Sequence, residues 1–227
     1  MVLDFEKVEL LLEYQNGVGA WVDLFDSELS FQTTAVKRAH RSPLIMNAIC
    51  ALTAKQLSMA SRRGMWEPVA VRYYGESLHH LINIPMNSNT CREDTFAATI
   101  LLSSHELASP GLDHRRHVSA ALTLIKIHDL NSNSKGLVGA SFWVYARQDI
   151  AMALVHECPT MLPPEEWYVS YAEQETADDR LGNQIIWCLA RVIAFTFGLA
   201  GILAGILLLA KVPGIQLIIY EKNQDFV

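Results

Sequence analysis

Apolar residues recur at helical spacing almost throughout this 227-residue chain, and that one period closes off most fold classes. Leu3, Val8, Leu11 and Leu12 mark a first helical face. Gly17-Val18-Gly19 interrupts it, and Trp21, Leu24 and Phe25 resume the pattern. Ser42-Pro43 reads as a helix start, because serine can cap unpaired N–H groups and proline at the first helical position forfeits no hydrogen bond. The segment Ile45 to Met59 then carries Ile45, Ala48, Ile49, Leu52 and Leu57, and Arg62-Arg63-Gly64 ends it. Pro68 opens another helix with Val71, Tyr74, Leu78 and Leu81 on one face. Thr90-Cys91-Arg92-Glu93 fits a capping box, followed by a helix to Ala108 that buries Phe96, Ile100, Leu101 and Leu107. His114 to His128 and Leu137 to Glu157 give two more helical runs. Pro163-Pro164 with Trp167-Tyr168 reads as a loop lying on the surface, and Asp178-Asp179 suits the start of a last helix. Ile215 to Tyr220 is the only β-like run, and a lone strand has no partner. The expected fold class is all-α, with seven or more helices and no sheet.

Apolar residues make up 51% of the chain and charged ones 19%, so a sizeable core can form. The length fits one domain with an appendage, or one helical unit. A net charge of −6 argues against direct nucleic-acid binding by this chain, which needs a clustered basic face. Cys50, Cys91, Cys158 and Cys188 are too far apart for a metal knuckle, and a reduced, intracellular chain is expected. The acidic start, Met1 to Glu6, lacks the basic region of a secretory signal.

The segment 192–210 carries no charge, and Thr196 is its one hydrogen-bonding side chain. As a helix it would reach roughly 28 Å, close to a bilayer core. Gly201 and Gly205 supply a small-xxx-small face, while Arg191 and Lys211 bracket the run and give no orientation. Hydropathy alone leaves two readings: a buried helix or a membrane segment.

Chemistry-bearing motifs mostly fail on spacing. His105-Glu106 begins like a zinc-protease helix, but position 109 is serine, so two imidazoles cannot share a metal one turn apart. Gly17-x-Gly19 lacks a third glycine and follows a helix, so it is no dinucleotide loop. His114 and His117 flank Arg115 and Arg116 and read as a solvated basic face. His79-His80 would meet the negative end of a helix. Arg147-Gln148-Asp149 inside an apolar helix reads as a buried ion pair or polar network fixing register, in preference to a catalytic carboxylate. Trp21, Trp66, Trp143 and Trp167 read as core and interface anchors. No catalytic, cofactor-binding or metal residue is assigned, and no cofactor is expected.

Several stretches, in order, resemble the fungal-specific transcription factor domain, the regulatory region that follows a zinc cluster in many fungal regulators. They are Ala20 to Asp26, Ser42 to Leu57, Tyr73 to Leu78, Thr99 to Glu106 and Arg116-His117 with Ala120 and Leu124-Ile125. Ser141-Phe-Trp-Val-Tyr-Ala-Arg-Gln-Asp-Ile150 is the most specific, followed by Cys158 to Leu162 and Asn183 to Trp187. The resemblance implies an all-α fold, a nuclear location, regulation of RNA polymerase II genes and no catalysis. It implies packing roles for Phe142, Trp143 and Tyr145, and polar ones for Arg147 and Asp149. The family's six-cysteine zinc cluster has no counterpart here, and His114 stands where tryptophan is expected. The resemblance fades near Ala194. The expectation is therefore a helical regulatory domain over 1–195, truncated at its C-terminal side, with a divergent apolar tail over 196–227. Such a domain would be marginal, expose apolar surface and associate. Protein partners or self-association, and a small-molecule effector, are the expected contacts. The alternative is a membrane-located, tail-anchored protein held by 192–210.

Overall fold

Asp4 starts the first helix, α1 (Phe5–Asn16), by accepting a hydrogen bond from the Lys7 amide at 2.8 Å. The computed structural model describes residues 4–60, 64–83, 92–109, 115–169, 177–198 and 203. α1 buries Leu10, Leu11 and Tyr14; of the expected face Leu11 is buried, Val8 and Leu12 face solvent, and Leu3 lies outside the described residues. Gly17 breaks the helix, α2 (Val18–Val22) follows, and a π-helical turn (Phe31–Ala35) runs into the short α3 (Val36–Ala39).

Pro43 begins α4 (Pro43–Ala60), as its sequence predicts. Every residue from Leu44 to Lys55 is buried, so α4 is surrounded rather than amphipathic. α1, α2, α3, α5 and α6 all pack on it. α5 (Glu67–Ile82) buries Ala70, Tyr73 and Ser77, while the predicted core residue Val71 is exposed. α6 (Arg92–Leu107) buries Phe96 to Ser103 together with His105 and Glu106. Arg38 reaches the acidic first turn of α6, at 3.0 Å from Glu93 and 2.6 Å from Asp94. Thr90 and Cys91, the other half of the predicted capping box, lie outside the described residues, as does the run Ile215 to Tyr220.

α7 (Arg115–His128) and α8 (Gly136–Val155) close the second half of the core against α6. A left-handed Gly136 (φ +57°) turns the chain into α8, and Gly139 passes so close to Ser134 that a Cβ would lie 2.1 Å from its carbonyl oxygen. The segment Pro164–Trp167 is a 3₁₀ turn, not a loop on the surface. Trp167 is fully buried, edge-on to Phe142 and Trp143, and its indole N–H donates to the Leu162 carbonyl at 3.2 Å. α9 (Asp178–Phe197) packs on α8 and on that turn. The described elements are all helical, with no strand among them.

Among the described residues no helix is long and apolar enough to cross a membrane. Val192 to Phe197 is the end of α9 and Gly198 its C-cap; Leu203 apart, the rest of the uncharged segment 192–210 lies outside the described residues.

Candidate functional site

Three of the stretches that carry the resemblance meet at one groove. Arg147 on α8 reaches across to the loop after α2, where its guanidinium donates to the carbonyls of Leu24 at 2.9 Å and Val22 at 2.8 Å. Burial pushes that guanidinium down to about 10, against the opposing pull of Asp23 and Asp26. Asp23 points the other way along the loop and accepts from the amides of Phe31 and Gln32, both at 2.8 Å. It thus caps the π turn. Burial raises its carboxyl above the ordinary range even though both amides favour the charged form.

α9 holds the same loop from its other side. Phe25 adopts a left-handed conformation (φ 63°) and lays its ring on Gly182, where a Cβ would come within 2.2 Å of a ring carbon. The Asn183 amide donates to the Phe25 carbonyl at 3.2 Å, and the Ser27 hydroxyl donates to Asp179 at 2.8 Å. Between this loop, the start of α8 and the start of α9 lies a groove of about 390 Å³. Phe25, Glu28, Lys135, Trp143, Arg147 and Asn183 are among its lining residues. The volume suits a small organic molecule, and the lining mixes an indole and a phenyl ring with charges of both signs.

The rest of the α8 polar triplet also serves as tethers. Gln148 donates to the Ile100 carbonyl at 3.2 Å and to the Ser104 hydroxyl at 2.8 Å, tying α8 to α6. Asp149 accepts from the amides of Met161 (2.8 Å) and Leu162 (2.9 Å) and from the Tyr145 hydroxyl (3.1 Å). Burial raises its carboxyl, with those three donors opposing. The sequence left open an ion pair or a network; the residues form a network in which Arg147 and Asp149 each serve a different loop.

A second buried polar cluster sits where α5, α6 and α7 meet. The Tyr74 hydroxyl donates to Glu106 Oε1 at 2.7 Å and lies 3.0 Å from His117 Nε2, which is 3.4 Å from the same carboxylate oxygen. His105 stacks on the Tyr74 ring at 4.8 Å, and both of its ring nitrogens are buried without a hydrogen-bond partner. Burial pushes His105 down to about 4 and lowers His117 against the pull of Glu106. Close by, the buried ammonium of Lys55 bonds Glu67 at 2.8 and 3.0 Å; that bond and one from Ser58 hold the Glu67 carboxyl low.

This cluster corrects the solvated reading of His117, which is buried; His114 lies outside the described residues. Its packing arises because α7 folds back on α6, which no local spacing announces. His79 and His80 are exposed in the last turn of α5, as expected. Trp66 and Trp143 are half-buried against the core, but Trp21 is 75% exposed and anchors nothing there. Among the described residues no three His, Cys, Asp or Glu side chains converge on a metal position. Asp23 went unremarked in the sequence, because the amides that donate to it lie eight and nine residues on, outside the two- or three-residue spacing of a local helix cap.

No curated protein and no solved structure matches this chain significantly. A sequence profile of the fungal specific transcription factor domain matches residues 9–200. The motifs that converge on the groove, the all-helical architecture and this match agree, and the chain belongs to the fungal specific transcription factor domain family.

Proposed function

We propose that this chain regulates transcription by RNA polymerase II in the nucleus, through contacts with other molecules rather than by catalysis, and without reading DNA itself. The observation that carries the reading is the family match over residues 9–200. The side chains that could do chemistry support it by their engagement elsewhere. Asp149 and Glu106 are committed to a loop tether and a closed buried cluster, not to a substrate-facing cleft. The net charge of −6 supports a role that leaves phosphate binding to another chain or segment. The groove beside Arg147 has the volume for a small effector.

The test is to fuse the full chain to an unrelated DNA-binding module upstream of a reporter gene. We expect the fusion to raise or lower transcription, and Arg147→Ala to weaken the effect by releasing the loop at 22–25. An unchanged reporter, with the fusion shown to be nuclear and intact, refutes the proposal. Recovery of the untagged chain in a carbonate-resistant membrane fraction would replace it with the tail-anchored reading.

A further inference from the structure

The groove beside Arg147 sorts its charges by depth. One face of α8 forms a wall, where Gly136, Ala140, Trp143 and Arg147 recur at steps of three or four residues. The small side chains at 136 and 140 leave space in front of Trp143, and the loop after α2 contributes the wall that carries Phe25. Arg147 is half-buried between them. A guanidinium has five N–H donors, and the loop carbonyls of Val22 and Leu24 take two of these. Among the described residues no carboxylate lies within ion-pair distance of it. Arg147 is thus a desolvated cation with donors to spare and no counter-ion, which is why burial holds its pKa down to about 10.

The acids nearby are engaged in their own loops. Asp23 accepts the Phe31 and Gln32 amides, and Asp26 those of Glu28 at 3.2 Å and Ser30 at 2.8 Å. Asp179 accepts the Ser27 hydroxyl and the Arg180 amide. Glu28 and Lys135 are exposed at the rim, and the Lys135 ammonium makes no ion pair among the described residues. Charges in solvent are screened strongly by salt, and a half-buried one much less. At depth the groove therefore offers one unpaired cation beside an indole.

We infer that this groove binds a small organic carboxylate, whose anionic end takes the free N–H groups of Arg147 and whose apolar body lies between Trp143 and Phe25. The planar guanidinium matches a carboxylate geometrically, and the bound anion supplies the counter-charge that Arg147 lacks. The volume of about 390 Å³ holds such a molecule with a ring or a short chain. A bare inorganic anion would leave both aromatic walls unused, and a cation would meet Arg147. Occupancy also bears on the loop. The same guanidinium holds Val22 and Leu24, and Phe25 and Leu29 further along sit at positive φ (63° and 50°). A ligand that fixes Arg147 therefore steadies 22–29. The inference deepens the proposed function, on whose regulatory reading it rests, by naming the chemical class of the effector.

The experiment is isothermal titration calorimetry of the full chain near pH 7. The probe is 3-phenylpropionate, compared with its neutral amide, 3-phenylpropylamine and inorganic phosphate. The probe is expected to bind with a dissociation constant of about 0.1–1 mM, ordinary for a fragment of this size. The amide, the amine and phosphate should each bind at least about tenfold more weakly, and Arg147→Gln should weaken the probe by a similar factor. Because Arg147→Gln also loosens the loop, two rim variants give an independent answer. Lys135→Glu should weaken binding about threefold, and Glu28→Lys should tighten it by a similar factor. Both side chains are exposed, so the melting temperature should hold. Bound probe should slow amide exchange across 22–29. No binding at about 10 mM probe, an amide or phosphate that binds as well as the carboxylate, or rim variants without effect would each overturn the inference. The two readings fail separately. A chain that acts on the reporter but binds no carboxylate overturns only the ligand class. A chain that binds the probe but leaves the reporter silent overturns only the regulatory role.

Discussion

Replacing Asp149 with alanine takes one carboxylate away from three donors at once. The Leu162 amide and the Tyr145 hydroxyl are deeply buried and would be left without an acceptor, while the Met161 amide, nearer the surface, can turn to water. A buried donor left unsatisfied costs about 1–3 kcal/mol, so two cost about 4 kcal/mol. Part of this is returned, because the carboxylate itself is costly to bury, as its raised pKa records. The net expectation is a loss of about 3 kcal/mol, or about 6–12 °C in melting temperature for a chain of this size. Tyr145→Phe removes one hydroxyl and should cost only about 1 kcal/mol. The loss should also be local: with the 158–162 turn untethered, the segment that seats Trp167 becomes the first site cut in limited proteolysis. Urea unfolding of wild type, Asp149→Ala and Tyr145→Phe, with mapping of the first cleavage, tests this. An Asp149→Ala protein that loses no more than Tyr145→Phe, or is first cut elsewhere, refutes the tether.

Other consequences are testable in the same way. His105 has a folded pKa of about 4 against an ordinary 6.5, a depressed value, so its contribution is complete above pH 6.5 and is lost as the pH falls toward 4. From about pH 7.5 to 5 it should cost about 2 kcal/mol, and His105→Phe should remove that part of the acid sensitivity while keeping the stack on Tyr74; an unchanged pH slope counts against it. Trp167→Ala should destabilise by about 3–5 kcal/mol in denaturant titration, as befits the core anchor that its sequence suggests. Gly139→Ala must displace the Ser134 carbonyl and should cost about 1–3 kcal/mol, with the first turn of α8 losing amide-exchange protection before the rest; wild-type protection would contradict it.

The elements were far more legible in the sequence than the site. Pro43 and the apolar run after Leu137 place α4 and α8 almost to the residue, because proline at a helix start and a 3.6-residue period are local signals. The side that each helix buries was read less well. α4 carries apolar residues all round and is enclosed by five neighbours, so its sequence offers no preferred face. Trp21 and Trp167 look alike in the chain, yet one lies on the surface and the other fills the core between Phe142 and Trp143. Burial of a single tryptophan is decided by what folds back onto it, here a turn after α8 fastened by Asp149. For the same reason His117 looked solvated between basic neighbours and proved to be buried against Glu106, a residue of another helix. The groove was legible only as separate stretches of resemblance, since Arg147 meets Val22 and Leu24 through tertiary structure alone.

That last contact also sets an order of events at the ribosome. The loop after α2 is fastened by a residue 123 positions further along the chain. At typical elongation rates of about 5–20 residues per second, the loop waits roughly 6–25 s for its clasp to be synthesised. During that interval Phe25, Phe31 and the face of α6 that α7 and α8 later cover have no enclosing second half. The newborn N-terminal portion thus carries uncovered apolar surface during synthesis, and slow translation before codon 147 would lengthen its exposure.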